Sequence, residues 1–182
     1  MTGLRLAVPA DAERLAELIR RAYRGEASRQ GWTSEADLVG GDRINVEQVL
    51  RLIDGPDSMM LVLGDDDGIT ACCQLEDRGN SLAYFGTFAV SPAAQGAGLG
   101  RRLMAEAQRQ AVLMFGSAVL EMTVLAQQEM LIAWYERLGF RRTGETRPFP
   151  ADETFARPLR DDLHFVVLAK SLAGLADGGT PG

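Results

Sequence analysis

Gln95-Gly96-Ala97-Gly98-Leu99-Gly100-Arg101-Arg102 lies between a predicted strand and a predicted helix. Its three glycines permit a tight turn and bring backbone N–H groups close to a ligand. The free N–H groups of the next helix's first turn favour an anion. Two arginines at that helix start are disfavoured by roughly 0.3–1 kcal/mol each, a penalty that a bound anion reverses. The spacing excludes two familiar nucleotide loops. A triphosphate loop ends in Gly-Lys-Ser/Thr, whereas here Gly100 is followed by Arg101-Arg102. A dinucleotide fingerprint is Gly-x-Gly-x-x-Gly opening a βαβ unit; this loop reads Gly-x-Gly-x-Gly and follows a hairpin block. The plain alternative is a Gly-rich connector carrying two solvated arginines.

Upstream of the loop, an apolar, β-branched and aromatic run at 82–90 is a strand stopped by Ser91-Pro92. Before it come strands at 59–63 and 69–75, joined at Asp65-Asp66-Asp67-Gly68, whose Asp-Gly step signals a hairpin. Further back, a strand at 4–8 precedes a helix at 9–24 with Leu15, Leu18, Ile19 and Tyr23 on one face. Residues 25–44 read as loop, and Asn45 caps a helix running to Ile53. Downstream, the loop opens a helix ended by Gly116, followed by a strand at 119–125, a helix at 129–138, and strands at 140–146 and 163–169. The fold class is therefore α+β: a mixed, mostly antiparallel central sheet with helices on both faces. Residues 1–173 are expected to form a single domain and 174–182 a disordered tail.

The 182 residues suit one domain with a sizeable core. With 19 basic and 25 acidic residues, a formal charge of −6, the chain is a poor match for nucleic acid. Adjacent Cys72 and Cys73 form neither a bridge nor a zinc site, and His164 is the single histidine, so no metal is expected. No signal-peptide pattern or membrane-length apolar run is present, which leads us to expect a cytoplasmic protein without a membrane partner.

The loop also fits Gln/Arg-x-x-Gly-x-Gly/Ala, preceded by Phe88-Ala89-Val90-Ser91-Pro92 and followed by Trp134-Tyr135-Glu136-Arg137-Leu138-Gly139-Phe140. This set resembles the pyrophosphate-binding motif and C-terminal signature of the GNAT superfamily of N-acetyltransferases, over about residues 59–147. The resemblance implies an acetyl-CoA-dependent enzyme whose central strands, here 82–90 and 119–125, splay apart around the cofactor. It implies that backbone groups at Phe88, Ala89 and Val90 pair with the pantetheine arm, and that Gln95, Gly96, Ala97, Gly98, Leu99, Gly100 and Arg101 hold the pyrophosphate. Many relatives have an asparagine seven residues before the tyrosine; Gln128 stands there and keeps an amide for the cofactor arm. Tyr135 is the implied general acid, since a phenol with pKa near 10 is protonated at neutral pH and can serve the departing thiolate.

A general base is not supplied by the motif. A lysine-like amine sits about 3 units above neutral pH, so exposing its lone pair costs roughly 4–5 kcal/mol. Where relatives place a glutamate, this chain has Tyr84 and Thr123. Glu121, two residues before Thr123 on the same strand face, and Glu76 are the nearby candidates, beside a water-relayed path. For the acceptor, Trp32 and Phe149 could form an aromatic wall suited to an amine cation, whereas Arg43 suits a carboxylate. The acceptor is expected to be a primary amine of a small molecule, attacked directly. The rivals are a noncatalytic acetyl-CoA sensor and a peptide N-acetyltransferase. A homodimer is a further expectation of the resemblance.

Overall fold

The computed structural model describes residues 3–24, 29, 34–65, 68–152 and 154–176. Trp32, Asp66, Asp67 and the tail from 177 onward lie outside them. Strand β1 (Gly3–Leu6) leads through a 3-10 turn at Pro9–Asp11 into helix α1 (Ala12–Tyr23). The Asp11 carboxylate fixes this entry by accepting from Val8 N–H at 2.9 Å and from two Arg5 guanidinium nitrogens at 2.7 and 2.9 Å. A two-residue strand β2 (Val39–Gly40) precedes α2 (Val46–Asp54). Asn45 Oδ1 accepts from Gln48 N–H at 2.8 Å, the cap that the Asn45 position predicted, and Gln48 Oε1 accepts in return from Asn45 N–H at 2.9 Å.

Strands β3 (Ser58–Asp65), β4 (Gly68–Asp77) and β5 (Leu82–Val90) form an antiparallel meander. Then follow α3 (Leu99–Phe115), β6 (Val119–Leu125), α4 (Glu129–Arg137), β7 (Arg141–Pro148), β8 (Arg157–Pro158), β9 (His164–Ser171) and the short α5 (Ala173–Ala176), which occupies the start of the expected tail. The seven-stranded sheet runs β1-β3-β4-β5-β6-β9-β7, and β2 pairs separately with β8. Only β5 and β6 are parallel neighbours. The sheet is thus mixed and mostly antiparallel, as the alternation predicted.

Alternation of side chains along the strands gives the sheet two apolar faces. On one, Leu15, Ile19 and Val49 of α1 and α2 pack on Met60, Val62, Cys72 and Ala89. On the other, Leu103, Met104 and Ala107 of α3, with Leu131 and Ile132 of α4, cover Leu61, Leu63, Cys73, Leu120 and Met122. The adjacent cysteines therefore face opposite layers, and burial pushes the Cys72 thiol up to about 12 and the Cys73 thiol well above its ordinary value. Among the described residues no helix is long and apolar enough to cross a membrane.

The feature that positions the site is the brevity of the β5–β6 pairing. It covers Leu82–Val119, Ala83–Leu120 and Tyr84–Glu121, after which the strands part although both continue, to Val90 and Leu125. On its other side β5 stays bonded to β4, but with an extra residue between Gly86 and Ala89, where Thr87 adopts φ +46°. That bulge bends the strand away from β6.

Candidate functional site

Beyond the parting of β5 and β6, the glycine loop runs into α3. Gly96 and Gly98 have φ +87° and +78°, the left-handed region that a side chain resists. Gly100 is required for a different reason. A Cβ there would meet Phe88 Cζ at 3.1 Å and Val90 Cγ2 at 3.7 Å, so its absence lets the start of α3 rest on β5. Among the described residues no backbone carbonyl accepts from the N–H groups of residues 96–101; the helix ladder starts with Arg102 N–H on Gly98 at 3.1 Å. Arg101 and Arg102 are exposed beside those donors. This cradle of free N–H groups and two guanidinium groups suits a pyrophosphate. It borders a cavity of about 480 Å3 lined by Phe88, Val90, Gln95, Gly96, Gly98, Leu99, Gly100, Arg101 and Trp134. Trp134 stacks on Phe88 with centroids 5.9 Å apart and planes 13° apart.

A second cavity, of about 390 Å3, opens on the other side of Phe88, which lines both. Tyr135 lines this second one and is 4% exposed, packed against Trp134, Phe140 and Phe88 at centroid distances of 5.1, 6.0 and 6.4 Å. Its hydroxyl makes no hydrogen bond with the described residues. Burial, reinforced by Tyr23 and Cys73, holds the phenol well above its ordinary value of 10, so it stays protonated. The Tyr23 hydroxyl donates to the Phe88 carbonyl, and Gln95 Nε2 donates to the Val90 carbonyl at 3.2 Å. These side chains occupy the two carbonyls on the free stretch of β5. The strand N–H groups therefore remain the better match to a pantetheine arm.

The positions where the resembling enzymes place a glutamate carry hydroxyls that meet each other: Tyr84 Oη lies 2.9 Å from Thr123 Oγ1, spanning the last paired rung of β5 and β6. The Arg78 guanidinium sits 4.7 Å above the Tyr84 ring. Glu121 and Glu76 do not line either cavity and neither is free. Glu121 is bound by Arg147 at 2.7 Å, and Glu76 by Arg78 at 2.9 Å. Both carboxylates are thus held in ion pairs outside the two cavity linings. Gln128 also stands apart from the loop cavity. It lines the second one and donates from Nε2 to the Ser34 carbonyl at 3.3 Å, tethering the segment that precedes β2. The Ala89 methyl is buried under α1, so only its backbone can face a cofactor, and Ala97 lies at the exposed loop tip outside the cavity lining.

Phe149 lines the second cavity and packs on Phe165 at 5.7 Å; Trp32, its expected partner, falls outside the described residues. Arg43 also lines this cavity, with its guanidinium carbon 4.7 Å from the Tyr23 ring centroid. Sequence reasoning did not single out Tyr23, Arg24, Glu35 or Trp134. Arg24 and Glu35 form an ion pair at the cavity edge, with only 9% and 11% of their side chains exposed. The Tyr23 hydroxyl sits at the end of an amphipathic stripe, where only an apolar role is legible. Trp134 was legible through its place beside Tyr135 in the motif.

Residues 56–142 match the family model for the acetyltransferase (GNAT) domain. No curated protein sequence matches the chain significantly. Among solved structures, the ribosomal-protein-S18-alanine N-acetyltransferase of Escherichia coli superposes with TM-score 0.69 at 19% identity, covering 94% of each chain. The Salmonella typhimurium acetyltransferase yncA, determined with its cofactor acetyl-CoA, gives 0.66 at 21% identity over 100% of this chain and 98% of the other. A chimera of the spermidine N-acetyltransferase SpeG of Vibrio cholerae gives 0.68 at 14% identity over 97% and 98%. At these identities the likeness is one of fold.

Proposed function

We propose that this chain, whose residues 56–142 match the acetyltransferase (GNAT) domain model, moves acetyl from acetyl-CoA to a primary amine of a small molecule by direct attack. The observation that carries the reading is the pair of cavities meeting at Phe88 in the opening between β5 and β6. One has the donors of a pyrophosphate site; the other is an open cavity of mixed polar and apolar lining, bordered by a phenol that bonds none of the described residues.

In this reading residues 96–101 hold the pyrophosphate with backbone N–H groups, and Arg101 supplies charge. The strand edge at Phe88, Ala89 and Val90 aligns the arm as an added strand would. Acetyl-CoA supplies the acetyl group as a thioester, whose C–S bond breaks as the amine nitrogen bonds to the acetyl carbon. The N–H groups of the bulged segment of β5 polarise the carbonyl. Tyr135 holds its proton at the second cavity's wall and donates it toward the departing sulfur. The proton lost by the amine leaves over the Tyr84–Thr123 hydroxyl pair to solvent. Most of the rate enhancement comes from holding amine and thioester at reacting distance. We take residues 1–173 to act as one domain in this chemistry.

The test is CoA release from acetyl-CoA across a panel of polyamines, arylalkylamines, aminoglycosides, amino acids and short peptides. Release with one small-amine class supports the proposal, and release with peptides alone would replace it by peptide acetylation. The tied carboxylates Glu76 and Glu121 favour one competing reading, a noncatalytic acetyl-CoA sensor. That reading is distinguished by a rise in melting temperature with acetyl-CoA and no turnover.

A further inference from the structure

The second cavity contains more positive charge than its own acids neutralise. Four arginines line it: Arg24, Arg43, Arg78 and Arg147. Three are matched, Arg24 by Glu35, Arg78 by Glu76 at 2.9 Å, and Arg147 by Glu121 at 2.7 Å and Glu145 at 3.0 Å. Arg43 has no ion pair among the described residues. Its guanidinium lies over the Tyr23 ring, and the acid acting on it most strongly, Glu35, is already committed to Arg24. The Nε atoms of both Arg43 and Arg24 are buried without a hydrogen-bond partner. Glu35, with the Tyr23 and Tyr84 side chains, keeps this guanidinium charged against its desolvation, so one carboxylate serves two buried guanidinium groups and Arg43 has no carboxylate of its own.

The backbone also works to hold it there. Arg43 has φ +69°, a left-handed conformation unfavourable for a residue with a Cβ. It is held by Arg43 N–H on the Phe155 carbonyl at 3.1 Å and by Asp42 N–H on Thr154 at 2.8 Å. Such strain, at a cavity where two guanidinium groups share one carboxylate, marks a position kept for a ligand. Tyr23 ties this charge to the reaction centre, since its ring carries the guanidinium and its hydroxyl bonds the Phe88 carbonyl where the two cavities meet.

We propose, resting on the acetyl-transfer reading above, that the acceptor is an amine that also carries a carboxylate, an amino acid or close analogue, and that Arg43 holds that carboxylate. The planar guanidinium fork matches a carboxylate in two parallel hydrogen bonds. The amine of such a molecule then points along Tyr23 toward Phe88 and Tyr135. A purely cationic acceptor such as a polyamine would instead set a second positive charge against Arg43. Arg43 is in this sense a specificity-determining residue.

The experiment compares methionine, phenylalanine, glutamate and lysine, each beside its amide, with spermidine included, in wild type, Arg43→Gln and Arg43→Lys. In wild type, kcat/KM for the free acid of the accepted side chain should exceed that for its amide by at least about tenfold, the scale of a charge-assisted hydrogen bond lost. In Arg43→Gln that ratio should collapse toward one, and Arg43→Lys should retain part of it. Acetyl-CoA protection against thermal unfolding, which reads the loop cavity, verifies that each variant is folded. Equal rates with acid and amide in wild type, spermidine as the preferred substrate, or an acid preference that survives Arg43→Gln would each overturn the inference while leaving acetyl transfer intact. Failure of both variants to fold would make Arg43 a structural cation and overturn it too. If wild type releases no CoA with any of these amines and gains no protection from acetyl-CoA, the acetyl-transfer reading itself fails.

Discussion

Replacing Tyr135 by phenylalanine isolates one oxygen atom. The ring of Tyr135 is fixed by Phe88, Trp134 and Phe140, and phenylalanine preserves those contacts. The hydroxyl has no hydrogen-bond partner among the described residues, so its removal orphans no buried group. The expected stability change is within about 0.5 kcal/mol, as for a substitution that breaks no internal hydrogen bond. Catalysis should respond very differently. A positioned acid contributes about 10²–10⁴-fold, so kcat should fall by at least two decades, equivalent to about 2.7 kcal/mol of barrier. Because burial holds the phenol well above 10, wild-type kcat should show no alkaline decline from Tyr135 ionising below about pH 10. The assay is CoA release under saturating acetyl-CoA, beside thermal unfolding of both proteins. If kcat in Tyr135→Phe stays within about threefold of wild type while the fold is intact, the phenol is not the acid. A fall of several degrees in melting temperature would show instead that the hydroxyl is bonded in the fold.

Gly98→Ala should cost roughly 1–2 kcal/mol in chemical denaturation, because the strain lies in φ +78° while the space beside it is open; an unchanged midpoint would mean that the loop relaxes. Stability should decline as pH rises above about 9, since burial raises Cys72, Cys73, Tyr23 and Tyr135 above their unfolded values. The folded state holds those protons more tightly than the unfolded chain does. Urea midpoints that match from about pH 7 to pH 10.5 would contradict this. Acetyl-CoA should quench or shift tryptophan emission through Trp134 in the loop cavity, and Trp134→Phe should abolish the change. With a saturating free α-amino acid as acceptor, kcat, which reads the bound amine, should rise with pH and level off near about 8; a rise continuing to about 10 would indicate a bound amine that keeps a lysine-like pKa.

Local signals wrote most of the fold into the sequence. Asn45 with Gln48, Gly116 with its φ of +62° and the β-branched run at 82–90 each decide their element within a few residues, and each appears where those signals put it. The glycine loop was legible for the same reason, as its chemistry lies in consecutive backbone groups. The second cavity was not, because its parts meet only through tertiary structure. Glu35 meets Arg24 from eleven residues on, Arg147 reaches Glu121 across β9, and Tyr84 meets Thr123 just beyond the last parallel rung. A glutamate in a strand pattern reads as an available base; its arginine partner, contributed by a strand two positions away in the sheet, cannot be seen from its neighbours in the chain. Arg43 sits in a glycine-rich segment whose polar composition suggests solvent, and the left-handed turn that sends it inward depends on carbonyls at Thr154 and Phe155.

The absence of a free carboxylate base then becomes intelligible from the acceptor's side. Stripping a proton from a lysine-like amine at pH 7 costs roughly 4–5 kcal/mol, and among the described residues the one acid lining either cavity, Glu35, is bound to Arg24. An α-amine beside a neutral group has a pKa of about 7.7–8.0, so the same step costs only about 1 kcal/mol. A free amino acid departs from that value because its own carboxylate favours the ammonium form. Pairing the carboxylate with Arg43 cancels that field. The arginine that selects the acceptor thereby also lowers its proton affinity. The hydroxyls of Tyr84 and Thr123 then need only conduct a loosely held proton to water, which is within the capacity of a hydrogen-bonded pair and does not demand a carboxylate.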